Sequence, residues 1–119
     1  MDRLRQRADF LATAAGLQTN SRAFLVQARR REDTRPARVG LTVSRKVGSA
    51  VERNRARRRL RSVLRAAADA PEAGHDYVLV ARRSALTVPF GEMVQDFVGA
   101  LRRIADGKAR PSTKHPPRR

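Results

Sequence analysis

Apolar residues recur at helical spacing in the longest patterned stretch of the chain, residues 49–69. Those that share one arc of a helical wheel, at about 100° per residue, are Ala56, Leu60, Val63, Leu64 and Ala67. Ser49 and Glu52 have the spacing of a capping box, and no Gly or Pro interrupts the stretch before Pro71. The sequence therefore predicts one long amphipathic helix near the middle of the chain.

A short helix and a strand are predicted before this long helix. Residues 3–15 carry apolar side chains about one helical repeat apart, and Gly16 is suited to end that helix. Phe10 either closes the helix onto a sheet or offers a stacking surface to a nucleotide base. Residues 23–28 form an apolar run typical of a strand, and residues 29–36 form a polar connection.

Alternation of apolar and polar residues marks residues 37–44 as a half-buried strand. Its predicted core face carries Val39, Leu41 and Val43, and its other face carries Arg38, Thr42 and Ser44. Because the strand ends directly before the long helix, the charges of Arg45 and Lys46 are expected beside the start of that helix.

The rest of the chain predicts a buried strand and a final helix. Residues 76–81 form a compact apolar run, typical of a central strand. The core stripe of the final helix consists of Met93, Phe97, Ala100 or Leu101, and Ile104. Residues 106–119 are rich in Pro and charge, so a disordered basic tail is expected after a single domain at residues 1–105. The order of helix, strand, strand, long helix, strand and helix fits an α/β (α+β) sandwich that contains a βαβ unit.

The net charge of the chain indicates which class of partner it binds. The 119 residues include 27 Lys and Arg against 11 Asp and Glu, a formal net charge of +16, which attracts nucleic acid in a salt-dependent way. The absence of Cys excludes disulfides and thiolate metal sites. No apolar run is long enough to span a membrane. A cytoplasmic protein with no membrane partner is therefore expected.

The long helix concentrates this charge, with seven arginines and no acid from Arg53 to Arg65. A solvated helix face usually interleaves acids with bases, because like charges four residues apart destabilise a helix. The residues that cluster within roughly 60° of the wheel are Asn54, Arg58, Arg61 and Arg65. Since the planar fork of arginine matches phosphate oxygens, this face predicts binding to nucleic acid.

The sequence offers no catalytic or metal-binding set. His75 and His115 are the only histidines, and no acid cluster or phosphate-binding glycine loop accompanies them. The chain is therefore predicted to bind rather than to catalyse. Three classes stay open: a basic RNA- or ribosome-binding module, a DNA-binding protein with the arginine helix in the major groove, and a membrane-active helix. The absence of Trp and Phe from the apolar arc disfavours the third.

Residues 38–61, RVGLTVSRKVGSAVERNRARRRLR, resemble the signature of the bacterial ribonuclease P protein subunit, whose hallmark is the triplet Arg53-Asn54-Arg55. The order of the flanking elements agrees over residues 1–105. The resemblance implies a fold like the second domain of ribosomal protein S5, with a left-handed βαβ crossover that general rules do not predict. It also implies a non-catalytic subunit that binds a catalytic RNA and the 5′ leader of precursor tRNA. RNA-bound magnesium ions then carry out the endonucleolytic 5′-end cleavage, and no cofactor is expected on the protein itself.

The same resemblance implies which residues contact RNA. Those in the motif and its approach strand are Ser44, Lys46, Arg53, Asn54, Arg55, Arg57, Arg58 and Arg61. Arg45, expected beside the start of the long helix, and Arg65, on its arginine-rich side, complete the predicted RNA-binding set. Phe10 and Phe24 are implied to line the leader cleft between the first helix and the sheet. The family often has further aromatic residues where this chain has residues 13–15 (Thr-Ala-Ala) and Gln27. The cleft is therefore expected to stack fewer bases of the leader and to bind the leader more through arginine side chains.

Overall fold

The computed structural model describes residues 1–112, which form three α-helices packed on a six-stranded mixed sheet. The helices are α1 (Arg7–Ala14), α2 (Ala50–Ala66) and α3 (Phe90–Ala105). The strands are β1 (Asp2–Arg3), β2 (Leu17–Asn20), β3 (Phe24–Arg30), β4 (Arg38–Thr42), β5 (His75–Ala81) and β6 (Arg110–Pro111). Short 3-10 helices at Arg45–Val47 and Arg83–Leu86 precede α2 and α3.

The predicted fold class and the predicted βαβ unit are confirmed. The strand order is β1-β4-β5-β3-β2-β6, and β4 and β5 are parallel neighbours joined through α2. Strand β3 pairs antiparallel with the other edge of β5. The left-handed sense of the crossover stays a prediction.

The main core lies between one face of the sheet and the two long helices. The predicted apolar arc of α2 is buried there, together with the predicted stripe of α3 and Val39 of β4. Phe24 of β3 packs edge-on against Phe97 of α3, with the ring centroids 6.4 Å apart. Helix α1 covers the opposite face, so the sheet separates α1 from α2 and α3.

The first helix is shorter than the predicted 3–15. Its N-terminal part is instead the edge strand β1, because Asp2 N donates to Ala37 O (2.7 Å) and Leu4 N donates to Val39 O (3.1 Å). Leu4 is buried, as the helical pattern required, but from an extended segment. Apolar spacing alone does not distinguish these two arrangements over so few residues.

The prediction of a disordered tail from residue 106 is wrong for residues 106–112. Lys108 N donates to Arg103 O (2.8 Å), and Ser112 N donates to Gly16 O (2.8 Å). Between these bonds, β6 pairs with β2, a strand that no sequence pattern predicted. The rest of the predicted tail, residues 113–119, lies outside the described residues.

Candidate nucleic-acid interface

Helix α2 begins in a hydrogen-bonded junction. The predicted capping box is confirmed, because Ser49 Oγ accepts from Glu52 N (3.2 Å) and Glu52 Oε1 accepts from Ser49 N (2.9 Å). Arg83 donates to Glu52 Oε2 (2.9 Å) and to Val47 O (2.6 Å). The Arg83 guanidinium, followed by the Ser49 N–H, lowers the pKa of Glu52 to about 2. The only acid of α2 is thus committed to the helix start and does not neutralise the arginines that follow.

Two arginines of α2 are engaged by the fold. Arg59 donates from Nη1 to Ala85 O (2.6 Å) and from Nη2 to Val88 O (2.7 Å), which ties α2 to the segment before α3. Arg53 donates to Gly48 O (3.0 Å) across the junction at the helix start. Arg53, which the resemblance assigns to RNA binding, therefore uses part of its hydrogen-bonding capacity inside the protein.

The other arginines of α2 keep their charge available to a partner. Within residues 1–112, none of the seven forms an ion pair with a carboxylate. The arginines that do form such pairs are Arg22, Arg29, Arg31, Arg35, Arg38 and Arg83. Arg57 and Arg65 bond only to Asn54 and Ser62 of their own helix, each at 2.9 Å. Those with no hydrogen bond or ion pair to the described residues are Arg55, Arg58 and Arg61, and all three are exposed.

A groove of about 390 Å³ lies between α2 and the β1–β4 edge of the sheet. Its apolar wall includes Val39, Leu41 and Leu64. Its basic rim is formed by Arg3, Arg57, Arg61 and Arg65. The α2 residues that border this groove or the outer side of the helix are called the basic face below: Asn54, Arg57, Arg58, Arg61 and Arg65.

A second groove, called the cleft below, lies between α1 and the sheet and has a volume of about 510 Å³. It is lined by Arg5, Arg7, Phe10, Leu11, Ala14, Gln27, Thr42 and Val80. Phe10 also lines the groove beside α2, so the two grooves meet at its ring. A Cβ atom at Gly40 would lie 2.5 Å from Phe10 Cζ. Glycine at this position therefore lets the Phe10 ring approach β4 closely.

The structure contradicts the assignment of Phe24 to the cleft. Phe24 is fully buried on the opposite face of the sheet, where it packs against Phe97. Side chains alternate along a strand, so Gln27 of β3 faces α1 and lines the cleft instead. The same alternation in the sequence could have separated these two residues.

The Gln27 side chain has an unused hydrogen-bonding capacity. The residue is only 4% exposed, yet its amide makes no hydrogen bond to another described residue. The amide lines an open cleft beside an aromatic ring, and it is not among the fully buried side-chain groups that lack a partner. Its donor and acceptor are therefore available to a ligand.

The residues just before α2 have mixed roles. Ser44 Oγ accepts from Lys46 N (3.3 Å) and caps the 3-10 helix. The side chains of Arg45 and Lys46 are exposed and make no bond to residues of the described part of the chain. Arg5 and Arg7, which line the cleft, were not predicted as site residues, because nothing in the sequence distinguishes them from other surface bases.

Residues 1–112 bring together no group of three or more His, Asp or Glu side chains that could hold a metal ion. Within the same residues, no helix is both long enough and apolar enough to cross a membrane.

Comparison with known proteins identifies the family. The family model described as Ribonuclease P matches residues 1–105. The ribonuclease P protein component of Bartonella quintana (strain Toulouse) is 44% identical over 120 residues, which cover 95% of this chain and 84% of that protein. The corresponding component of Ruegeria pomeroyi is 43% identical over 105 residues, which cover 85% of this chain and 84% of that protein.

Solved structures agree in fold. The RNase P protein from Thermotoga maritima matches with a TM-score of 0.72 at 29% identity, over 87% of this chain and 97% of that one. The RNase P protein of Staphylococcus aureus matches with a TM-score of 0.71 at 26% identity, over 88% of this chain and 95% of that one. From its sequence match and its shared fold, this chain belongs to the ribonuclease P protein family.

Proposed function

We propose that, as the non-catalytic protein component of ribonuclease P, this chain uses two connected surfaces during 5′-end maturation of tRNA in the cytoplasm. The basic face of α2, together with Arg45, Lys46, Arg53 and Arg55, binds the catalytic RNA. The cleft beside α1 binds the single-stranded 5′ leader of precursor tRNA. Phe10, where the two grooves meet, places the leader next to the RNA-bound part of the protein.

The observation that carries this proposal is that none of the seven arginines of α2 forms an ion pair with a carboxylate of the described residues. Acids elsewhere in the chain attract nearby arginines, whereas Arg58 and Arg61 have no carboxylate or amide partner. Like charges at this spacing repel each other and weaken the isolated helix. Phosphate groups would remove that repulsion and accept the bidentate hydrogen bonds that guanidinium offers.

The cleft has the composition that a variable single strand requires. Any nucleotide base can stack on an aromatic ring, and positively charged side chains nearby neutralise the phosphates of the strand. Phe10 supplies the ring, while Arg5 and Arg7 supply the positive charge. Gln27, in place of an aromatic residue, adds a donor and an acceptor for the edge of a base. The cleavage step itself belongs to magnesium ions held by the RNA.

Cleavage of precursor tRNA tests the assignment as a whole. The catalytic RNA is assayed over a magnesium series with and without the protein. We expect the protein to restore cleavage at low magnesium, because its positive charge replaces part of the counterion requirement. A lack of stimulation at every magnesium concentration would refute the proposal.

Two matched variants test which surface binds the catalytic RNA. Arg61→Gln removes a charge from the basic face, and Arg102→Gln removes one from an exposed arginine of α3 that makes no bond to the described residues. We expect Arg61→Gln to reduce the slope of log affinity against log salt by about 1, as expected for one lost phosphate contact. Equal losses in the two variants would show that the attraction depends on net charge alone.

A further inference from the structure

A buried carboxylate organises the face of the sheet that α1 covers. Asp76 of β5 is completely buried and lies in register with Arg29 on β3 and Arg38 on β4. It accepts from Arg29 Nη2 at 2.6 Å and from Nε and Nη2 of Arg38 at 2.8 Å each. Arg31 Nη1 adds a third partner at 2.5 Å. Strand pairing therefore places one guanidinium group on each side of Asp76 beneath α1.

Asp9 in the first turn of α1 completes the arrangement from above. It accepts from Arg29 Nη2 at 3.3 Å and from Arg38 Nη1 at 3.2 Å. These two contacts are called the Asp9 bridge below. Each arginine thus bonds to Asp76 within the sheet and to Asp9 on the helix. The bridge ties the helix to two strands that lie on opposite sides of β5.

Apolar packing contributes little to the position of α1. The helix has eight residues, and helices shorter than about 12 residues are marginal without tertiary contacts. Its only buried residue is Thr13, whereas Leu11 is 59% exposed. Thr13 Oγ1 donates to Asp9 O (2.7 Å), so its hydroxyl is paired within the helix while the residue itself is buried where α1 packs on β3 and β5. Besides the buried Thr13, the Asp9 bridge and the Phe10 ring above Gly40 connect α1 to the sheet.

We propose that Asp9 is a positioning residue for the leader cleft: through Arg29 and Arg38 it holds α1 at the distance from the sheet at which Phe10 binds a base. This inference rests on the proposed function of the cleft. Asp9 does not contact the leader itself, because a carboxylate repels phosphate. Its effect reaches the leader through the position of the neighbouring Phe10.

The direction in which Asp9→Asn changes the affinity for the leader distinguishes a positioning role of Asp9 from a general electrostatic effect. Asp9→Asn raises the net charge by one, so electrostatics alone predicts tighter binding of RNA. Loss of the Asp9 bridge predicts weaker binding of the leader. Asp69 is the matched control, because it is exposed and makes no bond to the described residues, and Asp69→Asn causes the same change in charge.

The experiment uses the complete protein assembled with the catalytic RNA. The leader contribution is the ratio of affinities for precursor tRNA and for the same tRNA without its leader. Asp9→Asn is expected to lower this ratio by about tenfold, the effect of one lost charge-assisted hydrogen bond, without weakening catalytic-RNA binding. Asp69→Asn should leave the ratio unchanged, and Asp9→Glu, which keeps the carboxylate, should restore part of it.

Amide hydrogen exchange on the free protein tests the Asp9 bridge independently of the leader. Asp9→Asn should speed exchange in α1 while α2 and α3 keep their protection, and Asp69→Asn should leave α1 unchanged. Unchanged exchange in α1, or a leader contribution that rises in Asp9→Asn, would overturn the inference. A wild-type protein with no leader contribution would refute the proposed role of the cleft, and exchange alone would then decide whether Asp9 positions α1.

Discussion

Neighbouring arginines of α2 should have opposite roles, although their sequence context is almost the same. Arg58 is exposed and makes no bond to the described residues, whereas Arg59 donates to Ala85 O and Val88 O at 2.6 and 2.7 Å. Substituting each by Met removes one charge, keeps a long side chain and preserves helix propensity. The pair therefore separates the structural use of a guanidinium from its use in binding.

The contacts of Arg59 set the expected loss of stability. Arg59→Met removes two charge-assisted hydrogen bonds and leaves two carbonyl groups to be satisfied by water. We expect the free energy of unfolding to fall by about 1–3 kcal/mol, measured by urea denaturation. Arg58→Met should change it by less than about 0.5 kcal/mol, because no contact is lost and some repulsion is relieved.

Binding should show the reverse order. A titration with catalytic RNA over a salt series should give a slope reduced by about 1 for Arg58→Met, while Arg59→Met leaves the slope unchanged. All titrations are done where circular dichroism shows the variant to be folded. Equal stability losses in both variants, or equal changes of slope, would refute the division of roles on α2.

Three further outcomes are expected. Burial opposes ionisation of Asp76, but Arg38 and two further arginines outweigh burial and lower its pKa to about 2 from 3.8. Ionised Asp76 therefore contributes about 2 kcal/mol to the free energy of unfolding above its unfolded-state pKa, and this contribution is lost as the pH falls toward 2. A free energy of unfolding in urea that stays constant between about pH 4 and pH 2 would contradict this reasoning. Gly40→Ala should displace the Phe10 ring, lower the free energy of unfolding by about 1–3 kcal/mol and weaken leader binding, and unchanged leader affinity would argue against Phe10 as the stacking surface. Gln27→Leu should leave the free energy of unfolding nearly unchanged, because the amide has no hydrogen bond within the described residues to lose, while leader binding weakens. Unaltered leader affinity would show that the amide is not used.

Helix α2 shows how much of the site the sequence could specify. The capping residues Ser49 and Glu52, the apolar arc and the arginine-rich side all follow from local spacing, and the structure has each of them where the wheel placed it. Helical periodicity depends only on the geometry of the helix itself. The side of α2 that faces the core was therefore predictable without knowing what it packs against.

The cleft was only partly predictable. Phe10 lines the cleft, and its role in leader binding stays a prediction, but Phe24 was assigned to the wrong face of the sheet. The family resemblance implied that an aromatic residue of β3 lines the cleft. Which face of the sheet a side chain occupies is determined by the alternation along the strand, and this alternation places Phe24 on the face away from the cleft. The short strands β1, β2 and β6 carry too few residues for a pattern, and they form because a neighbouring strand offers hydrogen-bonding groups.

The sequence by itself determined that this protein has an α/β core and a long helix with one basic side, because apolar spacing and charge are local properties of the chain. Only the tertiary structure decided which arginine side chains are bonded within the protein and which are left for a partner. Arg59 meets carbonyl groups more than twenty residues away, and Arg29 and Arg38 meet Asp76 and Asp9 through strand register and helix docking. Such pairings depend on distances between segments far apart in sequence, which no local pattern encodes.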